Sequence, residues 1–449
     1  MKIKFFSTKR PFILILMFFC LSILSFSQNK FVIQNKKQSD KIKFKLISNL
    51  IIIPVEVNGV SLSFLLDTGV SKPIIFNLDT LKIKDTETVF LRGLGNKESV
   101  EALKSKNNVF KIGDAIKLNQ DLYAIYDSNI NFVPRLGFPV HGIIGFDLFK
   151  DLVVEINYSK KFLKLTKADA YVYKKCEKCE RLNLEFYKNK PYINADVTMN
   201  EKKIPVKLLI DSGGSDALWL FEDDSLGIKS GNNYFHDFLG HGLSGSVYGK
   251  RSKVKNFSLK NFEFNMANVS YPDSKYIAHA KKIKNRNGSV SGNVLKRFNI
   301  IFDYQKAIIT LKKNRYFKEE FLYNKSGIEL AHSGLRLVKE RDDPVKDNNK
   351  EGFGNSGSQN ATRIIINPRY KLSLKPAYTI VELRENSPAE RAGLLVGDLV
   401  LSINNKASYK FKLQELIHAF YGNTGKLIKL IVSRNNIILT FEFRLEDLF

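Results

Sequence analysis

Short apolar runs bounded by turn residues recur along the first 315 positions, and their spacing predicts strands rather than helices. Strands are expected over residues 43–50 and 51–57, followed by an Asn58-Gly59 hairpin turn into 61–66. Further strands are expected over 73–76, in two extended segments within 109–126, and over 152–156 and 162–165. The order then repeats: 192–199, a turn at 200–203, 204–210, 217–221, a glycine-rich hairpin through Gly240, Gly242 and Gly245, then 299–302 and 308–311. One phrase anchors each copy. The first reads Phe64-Leu65-Leu66-Asp67-Thr68-Gly69-Val70-Ser71, and the second Leu208-Leu209-Ile210-Asp211-Ser212-Gly213-Gly214-Ser215. Gly142 follows Asp67 by 75 residues and Gly288 follows Asp211 by 77. The period is far longer than the roughly 20–50 residues of a solenoid. It predicts a mainly β protein with two pseudo-symmetric halves, 28–168 and 169–320.

The character changes after residue 320. A strand is expected within 327–338 and a polar, flexible insertion over 340–362. A compact region follows within a domain spanning 325–449. There Ser387-Pro388-Ala389-Glu390 has the form of a helix start, with Pro at the first helical position and Glu three residues after Ser. Gly393 ends that helix. A second helix is expected over 413–420, with Leu413, Leu416, Ile417 and Phe420 on one face. Strands are expected over 398–404, 427–433 and 437–443.

Composition modifies this picture at three places. The start is basic (Lys2, Lys4, Lys9, Arg10), then apolar from Phe12 to Leu24, then small at Ser25-Phe26-Ser27, the layout of a secretory signal over 1–27. It predicts export across the inner membrane to a periplasmic or other extracytoplasmic space. The net charge of +26 comes from lysines scattered along the chain. Scattering argues against a nucleic-acid partner and leaves association with anionic cell-envelope surfaces open. Beyond the signal only Cys176 and Cys179 remain. They form either a small disulfide loop, suited to an oxidising compartment, or a linker pair without chemistry. One C-x-x-C is too few ligands for a structural zinc, and no His-Glu-x-x-His occurs, so no metal and no cofactor is expected.

The repeated phrase has a chemistry of its own. A strand that ends in a carboxylate holds charge beside a dry core. Two such ends, one from each half, suggest carboxyls that meet and share a proton. One member can then take a proton from a water while the other donates to a carbonyl oxygen, which hydrolyses a peptide bond without a covalent intermediate. A hydroxyl after each Asp can fix the loop, and a Gly allows the sharp turn. Asp67-Thr68-Gly69 and Asp211-Ser212-Gly213 resemble the paired signatures of aspartic proteases, both pepsin-like and retropepsin-like. Gly142-Ile143-Ile144-Gly145 leading to Asp147-Leu148-Phe149 is similar to the second retropepsin landmark. The resemblance covers roughly residues 45–313. It implies two β-barrel-like acid-protease lobes in one chain, Asp67 and Asp211 as the catalytic dyad, bracing by Thr68, Gly69, Ser212 and Gly213, and a peptide or protein substrate. Tyr248 is the candidate substrate-covering residue of the glycine-rich hairpins.

The tail resembles a second family. Ser387-Pro388-Ala389-Glu390-Arg391-Ala392-Gly393-Leu394, followed by Gly397-Asp398-Leu399-Val400-Leu401-Ser402-Ile403-Asn404, looks like a bacterial PDZ domain. It implies a groove between a strand and the Leu413 helix that takes an extended peptide, with Tyr378, Ile380, Leu413 and Ile417 lining it. Two alternatives stay open at this level. Asp211-Ser212-Gly213-Gly214 also matches the local string of a serine nucleophile, which requires a His and an Asp elsewhere. A non-catalytic peptide-binding scaffold that retains the protease fold is the other.

Overall fold

The computed structural model describes residues 29–78, 81–97, 99–127, 130, 132–283, 285–341 and 370–449. The expected signal segment lies outside the described residues, as does the part of the expected insertion over 342–362. The described chain is mainly β. Its contacts divide it into two units, one running through Lys325 and taking in Glu446–Phe449, the other Ser326–Leu445. The last four residues, expected in the C-terminal domain, group with the first unit, where Phe449 lies 5.6 Å from the rings of both Phe235 and Tyr323.

In the first unit β1 (Ser39–Lys43) precedes β2 (Leu50–Val57), which turns at Asn58-Gly59 into β3 (Val60–Leu66). Both turn residues have positive φ, 50° and 84°, as a two-residue hairpin requires. β4 (Ile74–Phe76), β5 (Thr86–Leu91), β6 (Val100–Ile112), β7 (Ala115–Ile125) and β8 (Gly142–Ile144) follow. The one-turn helix α1 (Phe146–Phe149), β9 (Leu152–Asn157) and β10 (Phe162–Lys167) complete the first half. The second half contains β11 (Cys179–Asn183), β12 (Lys190–Met199), β13 (Lys202–Asp211), β14 (Leu218–Leu220), β15 (Phe235–Gly242), β16 (Gly245–Leu259) and β17 (Phe262–Pro272). It continues through α2 (Ser274–Lys281), β18 (Gly288–Ser291), α3 (Gly292–Leu295), β19 (Phe298–Asp303) and β20 (Ile308–Lys313). Cys176 and Cys179 are joined in a disulfide.

The same crossing of strands recurs in each half. β8 runs parallel to β3, with Gly142 beside Phe64 and Ile144 beside Leu66, and antiparallel to β4. β18 runs parallel to β13, with Gly288 beside Leu208 and Val290 beside Ile210, and antiparallel to β14. The approach is too close for a side chain at the first position. A Cβ on Gly142 would lie 2.5 Å from the Ile74 carbonyl oxygen, and one on Gly288 1.8 Å from that of Trp219. Each Asp-bearing strand end is thereby held between two neighbours, and buried Phe64, Leu66, Leu208 and Ile210 root it in the core.

The halves are fused rather than merely adjacent. A six-stranded sheet runs in the order β11-β20-β19-β9-β10-β1. At its centre β9 pairs antiparallel with β19, Val154 opposite Phe302. One apolar core continues from Phe31 to Phe321. Residues 28–168 and 169–320 therefore share a sheet and a core.

The second unit contains β21 (Ile328–Arg341), β22 (Tyr370–Leu383), α4 (Pro388–Arg391), β23 (Leu399–Ile403), α5 (Leu413–His418), β24 (Leu427–Arg434) and β25 (Ile437–Arg444), with sheet order β21-β22-β23-β24-β25. Residues 340 and 341, expected in the insertion, belong to a strand instead: Glu340 pairs with Lys371 and Arg341 with Tyr370. The polar character that reads as loop is tolerated here because both strands are exposed, and Lys375 bonds Glu340 across them at 2.9 Å. At α4 the Ser387 hydroxyl accepts a hydrogen bond from Glu390 N at 3.3 Å, while the Glu390 carboxylate reaches Asn386 N rather than Ser387 N. Ser387→Ala is expected to cost the second unit about 1 kcal/mol, measured by urea unfolding. An unchanged midpoint would mean the cap contributes nothing.

Candidate functional site

The ends of β3 and β13 bring Asp67 and Asp211 together. The bracing is reciprocal. Thr68 Oγ1 donates to Ile210 O at 2.6 Å, and Ser212 Oγ donates to Leu66 O at 2.8 Å. In return Thr68 N donates to Ser212 Oγ at 3.0 Å, and Ser212 N to Thr68 Oγ1 at 3.1 Å. Both hydroxyl residues are buried. Two of these bonds join each loop to the strand end of the other half, and two join the loops to each other, so the Asp loops are tied together. Ser212 Oγ is fully engaged and enclosed, which removes it as a nucleophile.

The carboxyls then meet above the brace. Gly69 N donates to Asp67 Oδ1 at 2.7 Å, and Gly213 N to Asp211 Oδ1 at 3.1 Å. A Cβ on Gly213 would sit 2.3 Å from the Asp67 carboxyl, so glycine is what lets the second loop close over the first aspartate. The two carboxyls come close together: a Cβ placed on Gly69 would lie 3.1 Å from Asp67 Oδ1 and 3.5 Å from Asp211 Oδ1. Burial, then the negative charge of Asp211, pushes Asp67 up to about 7, against the opposing pull of Gly69 N–H and Lys190. Burial raises Asp211 too, opposed by Arg286, Lys190 and the Gly213 and Gly214 amides. Two carboxyls so placed disfavour double ionisation and favour the state in which the pair holds one proton. That state can both accept a proton from water and donate one to a carbonyl oxygen.

A second junction connects the halves through the tips of two hairpins, β5–β6 and β15–β16. Gly242 faces Gly245 at the second tip, and Ser244 between them bonds the first. Ser244 N donates to Leu94 O (2.9 Å), its hydroxyl accepts from Gly93 N (3.2 Å), and its carbonyl accepts from Lys97 N (3.0 Å). Tyr248 stands on the stem, its ring 5.6 Å from Phe238 and 6.1 Å from Tyr276. The glycine-rich hairpin through Gly240, Gly242 and Gly245 is legible in the sequence, but its contact with the tip at Gly93–Gly95 is not. Lys190 and Arg286, which stand near the carboxyl pair, carry no local motif signal either.

In the second unit the four expected groove residues lie on two elements, Tyr378 and Ile380 on β22 and Leu413 and Ile417 on α5. Tyr378, Ile380 and Leu413 are buried core residues, with the Tyr378 hydroxyl donating to Phe411 O at 2.7 Å, and Ile417 packs against that core. β22, which carries Tyr378 and Ile380, is covered on both sides by β21 and β23. The strand beside α5 is β21. Among the described residues β21 pairs only with β22, so the edge open to an added strand belongs to β21. The strand–helix groove is thus bordered by β21 and α5. The alternation of buried positions along β22 cannot reveal this, because it does not state which strand ends the sheet.

Comparison with known families identifies a PDZ domain over residues 379–434. That span runs from within β22 through β24 and includes α4 and α5. PDZ domains bind peptides, which agrees with a peptide ligand for the second unit. No curated protein matches the chain.

Proposed function

We propose that the protein is an exported aspartic endopeptidase in which Asp67 and Asp211 activate a water against the peptide bond of an extended substrate. The PDZ domain binds the substrate or a partner peptide. The observation that carries this reading is the reciprocal bracing of two Asp loops, which sets their carboxyls close enough that sharing of one proton is expected. In this mechanism the ionised member takes a proton from water as its oxygen attacks the carbonyl carbon. The protonated member donates to the carbonyl oxygen, and collapse of the tetrahedral adduct returns a proton to the leaving nitrogen. The signal-like start and the Cys176–Cys179 disulfide support an extracytoplasmic, oxidising location.

The test is a pH profile on a pool of fluorogenic peptides. Activity needs one proton on the pair. It is expected to fall on the alkaline side as pH passes about 7, where Asp67 gives up its proton, by about tenfold per pH unit. It also falls at acid pH, where both carboxyls are protonated. A flat profile would contradict the mechanism. The bonded hairpin tips favour a second reading, a peptide-binding scaffold whose halves are bridged at those tips. It predicts binding without cleavage at every pH.

A further inference from the structure

Two cations face the carboxyl pair from the second half. β12 pairs antiparallel with β13, Tyr192 opposite Leu209. Continuing that register by two residues brings Lys190, the first residue of β12, level with Asp211, the last of β13. Lys190 is a charge neighbour of both carboxyls and of Arg286, and burial with Arg286 beside it lowers its pKa. Arg286 is fixed from another direction. Its Nε donates to Gly288 O at 3.2 Å, and its guanidinium lies 5.3 Å from the Phe221 ring. It neighbours Asp211 and Tyr192. The Tyr192 hydroxyl is buried without a hydrogen-bond partner among the described residues.

The positive charge extends outward. Lys188, Arg92 and Lys282 stand near His279, whose pKa is lowered by burial first and then by these cations and Lys190. Arg92 comes from the first half's hairpin tip, and Gly95 in that tip donates to Tyr276 O on α2 at 3.3 Å. Among the described residues none of Arg92, Lys188, Lys190, Lys282 and Arg286 forms a side-chain ion pair with a carboxylate. A carboxyl pair that keeps one proton carries a single negative charge, which does not balance this cluster. Arg92, Lys188 and Lys282 are exposed to water, whereas Lys190 and Arg286 are only part-exposed, and a cation partly withdrawn from water is relieved by an arriving anion.

We propose that Lys190 and Arg286 form a subsite for a carboxylate of the bound peptide, so that the cleft selects substrates with an acidic group close to the reacting bond; this rests on the endopeptidase reading. The Tyr192 hydroxyl is available to donate to the same carboxylate. The group can be an Asp or Glu side chain or the peptide's own C-terminus, and the two sources are separable.

The experiment begins with a library of acetylated, amidated peptides digested by the purified full chain, with cleavage sites read by mass spectrometry. Matched pairs are then made that differ only by Glu or Gln beside the cut, together with Gln peptides bearing a free C-terminus. The wild type is expected to show a Glu:Gln ratio in kcat/KM of about tenfold or more. Lys190→Met and Arg286→Met should each bring the ratio towards one, while Lys190→Arg keeps it. Preference for the free C-terminus instead of Glu assigns the subsite to a terminal carboxylate. A wild-type ratio near one for both sources overturns the proposal and needs no variant to fold. So does a ratio that survives both Met substitutions. If the wild type cleaves nothing, fluorescence anisotropy with the same peptides separates the two claims. Tighter binding of the acidic peptide keeps the subsite and removes the endopeptidase reading, whereas equal binding removes the subsite.

Discussion

Asp67→Asn is expected to lower peptide cleavage by about 10³-fold or more and to make the protein more stable above pH 7. The loss follows because an amide can neither take a proton from water nor share one with Asp211. The gain follows from linkage. Asp67 is pushed from its ordinary value of 3.8 to about 7 in the folded chain. Between those values the folded state holds a proton that the unfolded state has released. Stability is therefore fully present below about pH 4 and declines as pH rises through 7. Asn carries no charge and escapes that decline, so the variant should gain on the order of 2–4 kcal/mol at pH 8 relative to the wild type and little at pH 4. Urea unfolding at the two pH values measures this, and cleavage of the fluorogenic pool measures the loss. A variant that is inactive but no more stable at pH 8 would show that burial and the Asp211 charge do not hold a proton on Asp67. A variant that remains active would remove Asp67 from the chemistry.

The second large effect concerns the brace. Thr68→Val keeps the volume of the side chain but removes the donor to Ile210 O and leaves Ser212 N without its acceptor. Both groups are buried, so the unmet polar atoms should cost about 2–5 kcal/mol. Ser212→Ala removes the mirror-image pair, the donor to Leu66 O and the acceptor of Thr68 N. Since the four bonds form one network, the double variant should cost less than the sum of the two singles. A loss below about 0.5 kcal/mol for Thr68→Val would mean that water replaces the missing partners and that the loops do not depend on each other. Activity should fall with either substitution, because the separation of the carboxyls is set by this network and not by the aspartates themselves.

Much of the candidate site was legible because its determinants are local. An apolar run that ends in Asp, a hydroxyl and Gly specifies its own strand, its own loop and the amide that meets the carboxylate. Saying the phrase twice, with Gly142 and Gly288 at matching distances, gave both halves. What the chain did not disclose is everything decided by which strand lies beside which. Strands over 152–156 and 299–302 are plain in the hydrophobic pattern, yet nothing local states that they pair with each other and fuse the halves. Lys190 looks like an ordinary polar residue before Pro191, and only the register with β13 carries it to Asp211. Tyr378 and Ile380 alternate as groove residues would, but the sheet continues past them to β21, so they belong to the core. Glu340 and Arg341 read as loop because an exposed two-stranded ribbon makes no demand for apolar residues on either face.

The account depends on Asp67 and Asp211 acting as one proton-sharing pair. Carbon-13 titration of aspartate carboxyls in the purified protein, with Asp67→Asn and Asp211→Asn used to assign the two resonances, tests that directly. The pair is expected to retain one proton until pH approaches about 7, with each substitution altering the titration of the carboxyl that remains. Two carboxyls that titrate independently near 4, each indifferent to loss of the other, would contradict it.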